Sequence, residues 1–174
     1  MKKKLLFILL LPVFILLLTG CKEKDNRKSI SLTDSVFGYT TTFKYEEKEN
    51  FSKVKIKEGG ASKEISFENP DLDVEFQMYY TKMSKTSYER SEEVRSKQKY
   101  YTKYKYGEYE AYAYSEYDDK LLLNISLGEA DSGDVYILFV SIERLDTNKD
   151  IIVANVVDKE LKNFFNSIEV KSLG

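Results

Sequence analysis

The chain has 174 residues, with 27 Lys and Arg against 29 Asp and Glu, a formal net charge of −2, 14 Tyr, one Cys and neither His nor Trp. The missing histidine removes the commonest general acid–base group, the usual base of nucleophilic triads and the commonest transition-metal ligand. The single cysteine excludes an intrachain disulfide, and with no histidine it excludes zinc and iron–sulfur sites, while a mildly acidic chain of interspersed charges lacks the electrostatic footprint of a nucleic-acid binder.

At the start of the chain, Lys2, Lys3 and Lys4 precede an apolar run from Leu5 to Leu18, broken only at Pro12. The run is shorter than the ~20 residues that a spanning helix needs, so it reads as a cleaved signal segment. It closes on Leu18, Thr19, Gly20 and Cys21, the pattern of a lipobox. The only thiol of the chain therefore sits where lipid transfer requires one, and Cys21 is expected to carry a thioether-linked diacylglycerol, the only cofactor expected. Each buried acyl methylene contributes about 0.8 kcal/mol, and two chains hold a protein stably where one does not. The expected organisation is a signal peptide over 1–20, a lipidated cysteine and flexible tether over 21–36, and a single domain over 37–174. The expected location is the extracytoplasmic face of a bacterial cell membrane. Loss of the three leading lysines leaves 24 basic against 29 acidic residues, a net charge of −5.

Residues 22–33 (KEKDNRKSISLT) are polar and charged and read as the solvated tether. Its excess of basic residues can touch anionic headgroups, worth about 1 kcal/mol each near the surface. Period-two alternation then predicts strands. Tyr39, Thr41, Phe43 and Tyr45 fall on one face of the first. Val54 and Ile56 alternate with lysines in the second, and Ile65 and Phe67 mark a third after the turn at Gly59-Gly60. Leu72, Val74, Phe76, Met78 and Tyr80 share one face of a fourth, after Asn69-Pro70-Asp71. Helical spacing of Tyr88, Ser91, Val94, Arg95 and Gln98 predicts a helix over about 86–99 with Ser87 as its cap.

Strands resume beyond it. Tyr104 and Tyr106 alternate with Lys103 and Lys105, and a return strand over 109–117 puts Tyr112 and Tyr114 on one face and Ala111 and Ala113 on the other. Leu121 to Leu127 follows, then an acidic turn (GEADSGD) and the strand VYILFVSI from Val135, apolar on both faces and therefore expected to be central and covered on each side. The two helices, the second predicted over about 151–166, are the expected cover.

The order of helix, aromatic return strand (YEAYAYSEY), apolar strand (LLLNISL), acidic turn, very apolar strand and a closing helix ending in FFNSIEV resembles the PsbP-like fold over roughly residues 37–171. The resemblance implies an α+β domain, a central antiparallel sheet flanked by helices, and a role in binding or assembly. Metal sites built partly on histidine in some members have no counterpart in this chain, and no functional residue carries over.

The tyrosine band from Tyr100 to Tyr117 offers flat apolar rings with polar tips, suited to sugars, peptides or protein partners. Tyr104, Tyr106, Tyr112 and Tyr114 are its candidate ligand-binding residues. Strand propensity alone also accounts for such a band, with some tyrosines in the core and the lysines outside. Asp146-Thr147-Asn148-Lys149-Asp150 opens like a calcium loop but has Ile151 where glycine is needed and Val157 where the bidentate glutamate belongs. Glu129, Asp131 and Asp134 form an acidic turn better read as solvated, and no metal site is expected. Ser52-x-x-Lys55 and Ser96-x-x-Lys99 lack the companion motifs of a serine acyl enzyme. Asp118 with Asp119, or Asp73 with Glu75, are carboxylate pairs of the kind a hydrolase uses, but adjacent turn residues and exposed strand faces explain them more simply. The expectation is a membrane-anchored, non-catalytic binding or assembly module, its partner an envelope protein or a cell-wall ligand and not nucleic acid. A carboxylate-dependent envelope hydrolase is the alternative.

Overall fold

The structure, a computed structural model, describes residues 28–45, 52–59, 62–106, 109–146, 148, 150–157 and 169–172. The signal segment, the lipobox and Cys21 lie outside the described residues.

Alternation sets the local structure. The strands are β1 (Lys28–Asp34), β2 (Tyr39–Tyr45), β3 (Ser52–Gly59), β4 (Ser62–Asn69), β5 (Val74–Ser84), β6 (Thr102–Tyr106), β7 (Tyr109–Tyr114), β8 (Lys120–Glu129), β9 (Asp134–Arg144) and β10 (Glu169–Ser172). Helix α1 (Lys85–Arg95) separates β5 from β6. A second helical stretch occupies 153–157; residues 151–152 of the helix predicted over 151–166 are not helical, and 158–166 lie outside the described residues. The strands form two antiparallel sheets, one of three strands in the order β1-β2-β10 and one of seven in the order β3-β4-β5-β9-β8-β7-β6.

The register assigns each side chain to a face. Phe67 opposes Phe76, Phe76 opposes Ile142, and Val140 opposes both Met78 and Leu123. This apolar face of the large sheet packs on Ile30 and Leu32 of β1, with Val153 and Val157 of the helical stretch, in one buried core. The Phe67 and Phe76 rings stack at 4.9 Å. Full burial of such side chains stabilises by roughly 1.5–3 kcal/mol each, so this face dominates the energetics. The outer face of the small sheet is polar, with cross-strand hydroxyl pairs Ser31–Thr42 at 2.8 Å and Thr33–Thr40 at 3.0 Å.

The two sheets are joined by a buried polar clasp. The Tyr80 hydroxyl donates to the Leu32 carbonyl at 3.0 Å. It also bonds the Thr41 hydroxyl, and because the one phenolic hydrogen is already given to Leu32, Thr41 is the donor there.

Four expectations are corrected here. The domain is mostly β, two facing antiparallel sheets with short helices, and not an α+β sheet flanked by helices as the PsbP-like resemblance implies. β9 is central, as its composition requires, but its apolar face is covered chiefly by the second sheet. Its other face carries the buried Val135 and Ile137 and is only partly covered by α1, none of whose residues is buried. Residues 28–33 are not tether: KSISLTD forms β1, with Ile30, Leu32 and Asp34 buried. Two apolar residues among five polar ones are too faint a period-two signal to stand out from a charged linker. Finally, Ser84 and not Ser87 caps α1, its Oγ accepting from the Ser87 amide at 3.2 Å.

Candidate functional site

The register of β6, β7 and β8 divides the tyrosine band between two faces. Tyr104 opposes Ala111 and Tyr112 opposes Asn124, so the Tyr104 position shares the core face with Ala111 and Ala113, whereas Tyr112 and Tyr114 share the other. Tyr104 is half-buried and packs against the core. Tyr112 and Tyr114 are buried, at 2% and 6% exposure. The backbone of Tyr106 pairs with Tyr109, and its side chain lies outside the described residues. The four candidate tyrosines therefore do not form one exposed platform. Among the described residues, Tyr117 is the tyrosine left broadly open, at 69% exposure.

What the structure builds instead is a cleft of about 470 Å³ between α1 and the strands β6 to β9. Its volume lies in the range of small-molecule sites. Tyr88 projects from α1 onto Tyr112, ring centroids 5.6 Å apart, and Tyr112 also meets Tyr114 at 5.6 Å. The Arg95 guanidinium lies 5.0 Å above the Tyr114 ring. These aromatic contacts hold the helix on the sheet, together with two ion pairs. Lys85 meets Glu129 at 2.7 Å near the start of α1, and Lys103 of β6 meets Glu92 at 2.5 Å. Glu92 also accepts from the Tyr101 hydroxyl at 3.0 Å.

Tyr88 and Tyr112 are held protonated. Burial pushes Tyr88 far up, reinforced by Tyr112 and the charges of Glu92 and Glu110. Burial likewise raises Tyr112, with Tyr114 adding to the effect and Ser91 and Asn124 opposing it. Ser91 and Asn124 thus flank the Tyr112 hydroxyl, yet among the described residues that buried oxygen has no partner in good hydrogen-bond geometry. Three charged residues of the lining, Glu89, Glu110 and Lys105, take part in no ion pair among the described residues, although Lys105 and Glu110 are cross-strand neighbours.

The other sequence candidates are engaged elsewhere. Asp118 binds Lys99 at 2.7 Å and accepts from Tyr100; Lys99 and then Tyr100 hold its carboxyl below the usual range. Asp119 gives its carbonyl to the Arg144 amide at 2.9 Å. Asp73 sits in the β4–β5 turn at φ 58°, and Glu75 accepts from Gln77 at 3.3 Å. Ser96 donates to the Glu93 carbonyl at 2.7 Å, a contact of a helix end. Asp146 accepts from the Asn148 amide at 2.9 Å, closing a turn. In the acidic turn, Glu129 pairs with Lys85 and Asp134 with Lys82, and among the described residues no three acidic, His or Cys side chains converge as a metal site would require.

A second hollow, about 540 Å³, lies at the seam of the two sheets beside Tyr39, Tyr109 and Val170. Its tyrosines serve the seam: Tyr109 donates to the Val170 carbonyl at 3.3 Å, and Tyr39 packs on Tyr136 at 5.2 Å. The α1 cleft left no legible trace in the sequence. Its lysines and glutamates come from α1, β6, β7 and β8, and only the sheet order brings them together.

No family model, no curated protein and no solved structure matches this chain.

Proposed function

We propose that this protein is an extracytoplasmic lipoprotein, held at the cell membrane by a diacylglycerol on Cys21, and that its β domain is a non-catalytic binding module of the cell envelope. The observation that carries the reading is the sequence Leu18-Thr19-Gly20-Cys21 at the end of a short apolar run behind three lysines. An acyl anchor of two chains makes further membrane-binding sequence unnecessary. Among the described residues, no helix is long and apolar enough to cross a membrane.

Binding without catalysis is supported by how the charged groups are used. Glu92, Glu129, Asp118 and Glu143 are each occupied by a lysine, an arrangement suited to holding shape and not to passing protons. The α1 cleft is the recognition site in this reading, and its partner is a cell-wall ligand or an envelope protein. Crosslinking in intact cells with a photoreactive residue at Glu89 tests it. Recovery of one specific envelope component is expected. Recovery of none, together with hydrolysis of cell-wall material by the purified protein, would favour the carboxylate hydrolase instead.

A further inference from the structure

We infer that the α1 cleft takes a small zwitterion bearing an ammonium and a carboxylate, the chemistry of a free amino acid or the two ends of a short peptide. This rests on the binding-module reading and adds the ligand class.

Three observations converge. The cleft has the volume of a small-molecule site, about 470 Å³. Among the described residues, Glu89, Glu110 and Lys105 of its lining form no ion pair, while its remaining lysines and Glu92 and Glu129 are engaged in the two ion pairs that bridge helix to sheet. Beneath α1, the Tyr112 hydroxyl is buried and, among the described residues, has no partner in good hydrogen-bond geometry. An orphaned buried hydroxyl is costly, and a group able to accept or donate there is favoured. The two carboxylates select a cation, the lysine selects an anion, and a ligand carrying both charges answers each without leaving one stranded. A purely anionic ligand would face Glu89 and Glu110, and a purely cationic one would face Lys105.

The helix is built to admit such a ligand. None of its residues is fully buried, so a small outward shift is opposed mainly by the Tyr88–Tyr112 and Arg95–Tyr114 contacts. Its two ion pairs have exposed lysine ends, 53% and 69% accessible, and pairs open to water hold weakly. A shift of α1 brings the Tyr112 hydroxyl within reach of the ligand's ammonium or carboxylate.

Titration calorimetry of the full chain in detergent tests the inference, using alanine, dialanine, and dialanine blocked as its N-acetyl amide. Saturable binding of dialanine or alanine with a Kd of about 1 mM or tighter is expected, a modest affinity suited to partly exposed charges. The blocked peptide should bind at least about tenfold more weakly. Tighter binding of alanine identifies a free amino acid as the ligand, and tighter binding of dialanine a peptide. The double substitution Glu89→Gln with Glu110→Gln should weaken binding about tenfold, two exposed charge contacts being removed. Tyr112→Phe should weaken it severalfold without lowering the urea midpoint, because it removes a hydroxyl without a well-placed partner and keeps the ring. No saturable binding, equal binding of the blocked peptide, or variants that bind like the parent chain would each overturn the inference. If the titration fails while cellular crosslinking still recovers a specific partner, the ligand class falls and the binding-module reading stands.

Discussion

Tyr80 shows how one side chain can fix the relation of two sheets. It is 2% exposed, and its hydroxyl ties the Leu32 carbonyl to the Thr41 hydroxyl across the sandwich. Tyr80→Phe keeps the ring but leaves the buried Thr41 hydroxyl without this partner, and should lower unfolding stability by about 1–3 kcal/mol in urea titration. Burial also pushes the Tyr80 phenol up to about 12. A phenol raised in the folded state stays protonated where the unfolded chain has already lost its proton. Stability from this group is therefore complete below pH 10 and falls as pH climbs from about 10 to 12, by roughly 2–3 kcal/mol. Chemical denaturation at pH 9 and pH 11.5 should reveal the loss, and Tyr80→Phe should flatten that part of the profile. Tyr88, Tyr112 and Tyr79 are raised in the same direction by burial, so some alkaline sensitivity should remain in the variant. At this scale the sequence was informative about faces but not about exposure. Alternation put Tyr112 and Tyr114 on one side and Ala111 and Ala113 on the other, as the register has them, yet nothing in YEAYAY says that α1 lies above the two tyrosines.

Elements differ in how well they announce themselves. β5, with Val74, Phe76, Met78 and Tyr80 all buried, is legible because the alternating apolar residues are large and the intervening ones polar. β9 is legible as central because its buried residues fall on both faces. β1 is not, since its core contribution is two aliphatic residues in a charged stretch, and overlooking it hides the whole second sheet and hands its covering role to helices. α1 is half-legible: its position is close to expectation, but Val94 of the expected stripe is 53% exposed. A helix with no fully buried residue should open locally well before the sheet does. Amide hydrogen exchange should accordingly find residues 88–95 far less protected than β5 and β9. Ser84→Ala, which removes the cap, should lower α1 protection further at a cost of about 1 kcal/mol. The two edges of the large sheet, β3 and β6, both alternate lysines along the strand, a recognised way to discourage pairing with another chain. That explains Lys55 of the Ser-x-x-Lys match without any catalytic role. Replacing the exposed Lys55 and Lys57 by Val should promote self-association, visible as added mass in light scattering.

For the whole molecule, the seven-stranded sheet and its three-stranded cover create one strong core and one weakly covered face, and the weakly covered face carries the cleft. The division is useful for a binding module, because stability and recognition then sit on opposite sides of the same sheet. A ligand that shifts α1 disturbs contacts of modest energy and leaves the core untouched. The distance from Cys21 to β1 is also short. Six residues, 22–27, intervene, and at most about 3.6 Å per residue they hold the first strand within roughly 25 Å of the lipid in the proposed arrangement. The domain would thus work close to the membrane surface. All of this depends on the fate of the amino terminus, and intact-mass analysis of the native protein from cells measures it directly. The account predicts a chain that begins at Cys21 and carries the added mass of a diacylglycerol, with the addition lost in Cys21→Ser. An unacylated polypeptide that retains Met1 would contradict it.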